Sequence, residues 1–153
     1  MTHFFQRGGA WVLGQGVLLA GVIMLAPLVH ASTCQPVVVI AGAVLLLMSA
    51  GVALAGAVAL GRNLTPFPKP AAQAQLVRHG IYAFVRHPLY TSVIAGALGW
   101  ALVWQSWPAL WVALALVPFF DAKARREEGW LREKFPAYAI YQQQVRRFIP
   151  WLY

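Results

Sequence analysis

Three long stretches of this 153-residue chain carry no charged side chain: residues 11–29, 35–60 and 87–120. About 20 apolar residues in a helix cross the hydrocarbon core of a bilayer, which is ~30 Å thick. The whole chain is 60% hydrophobic and 10% charged, whereas soluble domains contain roughly 45–50% apolar and about 25% charged residues. So little polar material excludes an ordinary soluble enzyme and a disordered chain, and it predicts a polytopic all-α membrane protein.

The third stretch is too long for a single crossing. Its 34 residues would extend about 51 Å as one helix. A break at Gln105-Ser106-Trp107-Pro108 divides it, because a proline suits the first turn of a new helix. We therefore predict a single domain over residues 1–153 with four transmembrane helices, the third and fourth forming a tight hairpin. Their expected bounds are about 11–29, 37–60, 89–104 and 108–124.

A cleaved signal peptide is the alternative for the first stretch. Its apolar core of 19 residues exceeds the usual length of about 7–15, which favours an uncleaved anchor. The fourth helix is expected to continue past the membrane until Pro136 interrupts it.

The basic residues all fall on one side of this four-helix arrangement. The chain has 12 Lys and Arg against 4 Asp and Glu, a formal net charge of +8, and none of the 12 lies in residues 30–36 or 105–108. By the positive-inside rule, both termini and the long middle loop face the cytoplasm, and a bacterial inner membrane is the expected location. Because the basic residues flank apolar stretches, anionic membrane lipids are the expected partner and nucleic acid is not.

The segment beyond Pro136 has an amphipathic pattern. Aromatic and apolar residues recur there at three- and four-residue steps, namely Tyr138, Tyr141, Val145 and Phe148. This pattern predicts a cytoplasmic C-terminal helix that lies on the membrane surface or caps the helix bundle. The middle loop has prolines at alternate positions between residues 66 and 70, which predicts an extended connector.

Two polar blocks are candidates for chemistry. The first is Arg86-His87-Pro88-Leu89-Tyr90, at the start of the third transmembrane helix, with Tyr82 four residues before Arg86. Pro88 suits the first helical position. The free N–H groups of that helix start, beside Arg86 and His87, would form an anion site. The plainer alternative is an arginine–histidine pair that reaches to lipid headgroups.

The second block is Glu127-Glu128, half of the four carboxylates in the chain. Adjacent helical residues point about 100° apart, so one glutamate is expected to face the bundle, and Glu128 can also pair with Arg132 one turn on. If the blocks meet, they form a pocket for a zwitterionic ligand. Arg86 and His87 would bind its carboxylate, and Glu127 or Glu128 its ammonium. The alternative is a solvated charge cluster at a helix end.

No metal site is predicted, since the histidines lack partners at metal-ligand spacing and Cys34 is the only cysteine. The single cysteine also excludes an internal disulfide. No phosphate-binding glycine loop or nucleophile–base arrangement is recognisable.

The order of these blocks resembles a known family. Arg78-His79-Gly80-Ile81-Tyr82, then Arg86-His87-Pro88-Leu89-Tyr90, an apolar hairpin, and Arg126-Glu127-Glu128 follow one another over residues 61–151. This resembles the isoprenylcysteine carboxyl methyltransferases and their bacterial relatives, which are similar to phospholipid N-methyltransferases. Two positions depart from the family pattern: Ser92 stands where a glycine is frequent, and Pro136 replaces the glycine of a Phe-Gly pair.

The resemblance implies an integral membrane enzyme that uses S-adenosylmethionine, bound in a cytoplasm-facing pocket of the last two transmembrane helices and the C-terminal segment. Catalytic roles are implied for Arg86, Glu127 and Glu128. The implied cofactor-binding residues are Tyr82, Arg86, His87, Pro88, Tyr90, Glu127 and Glu128. The implied acceptor is lipophilic, whether carboxylate, thiol or amine. An NADPH-dependent membrane reductase of similar C-terminal pattern and a non-enzymatic membrane protein are the alternatives, and the oligomeric state stays open.

Overall fold

A computed structural model describes residues 2–32 and 34–150, and its regular structure is helical. The six α-helices are α1 (Thr2–Gln6), α2 (Gly9–Leu28), α3 (Pro36–Leu60), α4 (Pro88–Val103), α5 (Trp107–Lys134) and α6 (Tyr138–Gln144). Short 3-10 turns occupy Gly61–Asn63 and Gly80–Ala83. The predicted all-α class is confirmed, and α5 ends two residues before Pro136.

Three helical segments are long and apolar enough to cross a membrane: Gly9–Leu28, Pro36–Asn63 and Trp107–Lys134. The remaining apolar helix, α4, has only 16 residues, a length of about 24 Å. Large apolar side chains point outward from the long helices, including Val17, Val37 and Leu47, which are 72–80% exposed. Such faces suit lipid and not water, so the chain is an integral membrane protein. The fourth crossing stays a prediction.

The helices pack in a chain of neighbours: α3 against α4, α4 against α5, and α5 against α2. Residues 104–106 connect α4 to α5, where the Ser106 hydroxyl caps α5 by accepting a hydrogen bond from the Ala109 amide. The core between α2, α4 and α5 contains Val22, Ala97, Leu116 and Phe120. This packing brings the start of α4 beside the charged second half of α5.

Helices α3 and α4 approach each other most closely at glycines. A Cβ atom at Gly42 would lie 2.7 Å from the Val103 nitrogen and 2.8 Å from the Gly99 oxygen. We therefore expect Gly42→Ala to push the helices apart and cost about 1–3 kcal/mol. The apparent melting temperature in detergent should fall by several degrees. Gly51→Ala on the same helix is the control, because its Cβ would meet nothing within 4 Å. Equal melting temperatures for the two variants would contradict this contact.

The C-terminal segment caps the end of the bundle where α4 begins. Its helix is shorter than the pattern predicts, since α6 ends at Gln144 and the chain then runs extended beside the residues that precede α4. The Arg86 amide donates to the Arg146 carbonyl at 2.8 Å, and the His87 amide to the Arg147 carbonyl at 3.0 Å. These bonds satisfy amides ahead of Pro88 that a helical segment would leave without partners.

Candidate functional site

A buried carboxylate joins the two polar blocks. One oxygen of Glu128 lies 3.1 Å from Arg86 Nη2 and 3.2 Å from His87 Nε2. Arg147 donates to both oxygens, at 3.1 Å from Nε and 2.9 Å from Nη2, and Gln142 Nε2 donates at 3.1 Å. The Glu128 side chain is 2% exposed. The two polar blocks, about forty residues apart in the sequence, therefore meet in the structure. The hydrogen bonds of the Glu128 carboxylate are made to other side chains of the protein.

The predicted pairing of Glu128 with Arg132 is wrong. Arg132 is exposed and donates to Gln142 Oε1 at 3.3 Å. Glu128 points into the bundle, where cations from the start of α4 and from the C-terminal segment surround it. A buried carboxylate needs such compensation more than an exposed one does.

The C-terminal segment also fixes the polar block before α4. Arg86 Nη1 donates to the Gln142 carbonyl at 2.6 Å, and the Tyr141 hydroxyl donates to the Tyr82 carbonyl at 2.6 Å. Burial raises the pKa of Tyr141 to about 12 and raises that of Tyr138 further. Both phenols therefore stay protonated donors throughout the physiological pH range.

Glu127 has a different environment from its neighbour. Its carboxylate accepts a hydrogen bond from the Tyr90 hydroxyl and lies 3.8 Å from His87 Nδ1. The Tyr90 and His87 rings stack at 5.2 Å between centroids and 4° between planes. The Glu127 side chain is 23% exposed. Of the two glutamates, only Glu127 lines the adjacent cavity.

That cavity of about 120 Å³ lies between the start of α4, the second half of α5, α6 and the loop between α3 and α4. Its polar lining consists of Tyr82, Arg86, His87, Tyr90, Glu127, Tyr138 and Tyr141, with Asn63, Thr65 and Gln75 from the loop. Pro88 is the first residue of α4, as its position predicts, and is not among the lining residues. Five predicted cofactor-binding residues thus surround one space, while Glu128 and Pro88 lie behind it.

Two buried donors in the cavity wall have no acceptor. Arg86 Nε and the Tyr138 hydroxyl are buried without a hydrogen-bond partner among the described residues. Buried polar atoms in folded proteins nearly always have a partner, which can be a ligand or water. The residues that line the cavity therefore include two with unpaired donors, Arg86 and Tyr138, and one carboxylate, Glu127.

Sequence reasoning missed three residues of this site. Arg147 bridges Glu128 and Asp121, contacting Asp121 at 2.6 Å. Gln142 contacts both Arg86 and Glu128. Lys123 is 1% exposed and donates to Gln15 Oε1 at 2.7 Å. Of these three residues, only Lys123 could have been found from the sequence. It precedes Glu127 by four residues, which places both on one helix face.

Comparison with known proteins identifies the family of the chain. The fold and site define a helical membrane protein with a charged cavity at one end of its bundle. The family model described as phospholipid methyltransferase matches residues 37–138, and the chain belongs to that family. The family resemblance read from the two polar blocks is thereby confirmed.

Individual relatives match about half of the chain. A probable protein-S-isoprenylcysteine O-methyltransferase of Oryza sativa subsp. indica is 34% identical over 83 residues, 52% of this chain and 43% of that protein. Protein-S-isoprenylcysteine O-methyltransferase of Schizosaccharomyces pombe is 36% identical over 77 residues, or 49% and 33%. Cobalt-zinc-cadmium resistance protein CzcN of Cupriavidus metallidurans is 36% identical over 78 residues, or 50% and 36%. The chain therefore matches less than half the length of each of these relatives.

Proposed function

We propose that the protein is a membrane-embedded, S-adenosylmethionine-dependent methyltransferase that acts on a lipophilic acceptor. Family membership and the two relatives named as O-methyltransferases support this reaction class. The observation that carries the proposal is the cavity, which is lined by the Glu127 carboxylate and by two residues, Arg86 and Tyr138, that each have a buried donor without a partner among the described residues.

The residues present fit the amino-acid end of this cofactor. Arg86 and Tyr138 have donors free to bind its carboxylate, and Glu127 supplies an acceptor for its ammonium. Glu128 holds Arg86 and His87 in place from behind the wall, which makes it a positioning residue in this proposal. When bound, S-adenosylmethionine supplies a methyl group already activated on a sulfonium, so no nucleophilic side chain is required.

The protein then needs only to bind the acceptor, align it with the methyl group and exclude water. The transfer breaks the sulfur–methyl bond and forms a bond from the methyl carbon to an oxygen, sulfur or nitrogen of the acceptor. The electron pair of the broken bond stays on sulfur, a carboxylate acceptor gives a neutral ester directly, and an amine or thiol acceptor also releases a proton. The exposed apolar faces of α2 and α3 embed the protein in the bilayer, and in this proposal the lipophilic acceptor reaches the site from there.

A label-transfer assay tests this function. Membranes containing the protein are incubated with S-adenosylmethionine labelled on its methyl group, and the organic-phase label is compared with that from membranes carrying Glu127→Gln. At a subsaturating concentration of the labelled cofactor, we expect at least about tenfold less label in the organic phase for Glu127→Gln than for the wild-type protein. Base hydrolysis of the product would release labelled methanol from an ester and leave a methylated amine or thioether intact. Equal organic-phase label from both membranes would contradict the proposal.

We also propose four crossings in a bacterial inner membrane, with both termini and the cavity on the cytoplasmic side. Cys34 tests this arrangement because it is exposed, lies between α2 and α3, and is the only cysteine. We expect a membrane-impermeant thiol reagent to label it from outside intact cells. Cys34→Ser is the control. Labelling only after the cells are lysed would contradict the proposed orientation.

A further inference from the structure

The loop between α3 and α4 forms one wall of the cavity. Residues 63–75 leave and return at nearly the same place, since the Gln75 amide donates to Asn63 Oδ1 at 3.1 Å. The inner side of this segment lines the cavity through Thr65, Phe67 and Ala74. A compact surface loop with its ends joined is an Ω-loop, a class in which functional loops are frequent. We call residues 63–75 the lid loop.

The first part of the lid loop is firmly fixed. Lys123 of α5 is buried and donates to the Pro66 carbonyl at 3.3 Å. Pro68 is also buried, and a Cβ atom at Gly8 would lie 2.6 Å from its ring. Arg7 lies over the Phe67 ring at 4.4 Å. Residues 66–68 are therefore held from both sides.

The second part is held at its end by the Gln75–Asn63 bond and in its middle by the side chain of Lys134. Lys134, the last residue of α5, donates to the main-chain carbonyls of Ala71 and Ala72, at 2.8 Å for Ala72. Lys69, Ala72 and Gln73 are exposed. A half-buried ammonium thus closes this part of the loop onto α5, eleven residues after Lys123.

The cavity is smaller than the pockets that bury small-molecule ligands. Pockets that bury a small-molecule ligand measure about 300–1,000 Å³, whereas this cavity measures about 120 Å³. The first part of the lid loop is packed under the N-terminal helices, and α4, α5 and α6 are tied together by the Glu128 cluster. The exposed second part is therefore the wall of the cavity whose movement costs the least free energy.

We propose that residues 69–75 are a hinged lid over the cavity, with Lys123 anchoring the hinge at Pro66 and Lys134 latching the lid at Ala71 and Ala72. Lys134 is then a positioning residue that controls how fast a ligand enters and leaves. The nature of that ligand rests on the proposed function, while the opening of the lid does not.

Binding kinetics of S-adenosylhomocysteine on the immobilised, detergent-solubilised protein test the latch. Lys134→Ala should raise both the association and the dissociation rate constants about fivefold, as expected for losing one half-exposed charged contact. The dissociation constant should change less than about twofold, because the contact is lost from both the free and the bound states. Lys134→Arg keeps a cationic donor and should restore wild-type rates. Lys69→Ala is the matched control, since it removes the same charge from an exposed position in the lid loop.

A second measurement needs no ligand. Leu131 lies on α5 and lines the cavity, so Leu131→Cys in a Cys34→Ser background reports access beneath the lid. A water-soluble thiol reagent should label this cysteine several-fold faster when Lys134→Ala is added, and at an unchanged rate when Lys69→Ala is added.

The outcomes separate the two proposals. Faster labelling together with parallel increases in both rate constants supports the latch. Labelling and binding rates in Lys134→Ala that equal those of Lys69→Ala overturn it. If the folded wild-type protein does not bind S-adenosylhomocysteine, the proposed function fails, and the labelling rates alone decide whether the lid opens as proposed.

Discussion

We expect Glu128→Gln to lower the apparent melting temperature of the purified protein by about 10 °C. The substitution keeps the shape of the side chain but removes the charge that compensates Arg86 and Arg147. Breaking a buried ion pair from one side costs about 3–5 kcal/mol, and each kcal/mol corresponds to roughly 2–4 °C in a protein of this size. Thermal unfolding in detergent, followed by circular dichroism, measures the effect.

Glu133→Gln provides the matched control on the same helix. Glu133 is exposed, and exposed charges contribute little to stability. Its melting temperature should stay within about 1 °C of the wild-type value. A Glu128→Gln protein as stable as the control would show that the buried cluster does not hold α4, α5 and the C-terminal segment together.

For Glu127→Gln we expect the opposite result. The affinity for the ligand should fall, while the melting temperature of the protein should stay the same. Glu127 lines the cavity and is only partly buried, so its charge is available to a ligand ammonium. A hydrogen bond to a charged group contributes about 1.5–3 kcal/mol, which corresponds to roughly a 10- to 100-fold weaker affinity for S-adenosylhomocysteine. Titration calorimetry measures the affinity, and circular dichroism confirms the fold.

The control for Glu127 is again Glu133→Gln, which should bind like the wild-type protein. Unchanged affinity in Glu127→Gln would contradict the ammonium-binding role. The two adjacent glutamates thus make a paired test, in which one substitution affects chiefly stability and the other chiefly binding.

Hydropathy and helix-end signals predict the helices well. The observed bounds of α2, α3 and α4 lie within two residues of those expected, because long apolar stretches in a bilayer have few alternatives to a helix. Prolines mark helix starts at Pro36, Pro88 and Pro108 and the interruption at Pro136. These signals are local, so they can be read without knowledge of the partners.

The ion pairing of the site could not be predicted in the same way. Helical spacing suggests Arg132 as a partner for Glu128, whereas the structure selects Arg86 and Arg147. The position of Arg147 depends on the chain leaving helical geometry at Val145 and running beside residues 85–87. That change accompanies hydrogen bonds from the Arg86 and His87 amides to the carbonyls of residues 146 and 147, which only the tertiary structure brings together.

For a related reason, the sequence alone could not decide which of the two glutamates faces the cavity. Adjacent helical residues must point apart, but the direction of each depends on how α5 is rotated against α4. Packing of Phe120 against Tyr90, with ring centroids 4.8 Å apart, accompanies the rotation that turns Glu127 to the cavity and Glu128 to the buried cluster. The lid loop contacts of Lys123 and Lys134 likewise follow from this rotation.

The most direct test of the central claim is titration of the folded wild-type protein in detergent with S-adenosylhomocysteine. We expect saturable binding at one site per chain, competed by S-adenosylmethionine and weakened by Glu127→Gln. Absence of binding by protein whose circular dichroism and melting temperature show an intact fold would contradict the claim that this cavity binds the methyl donor.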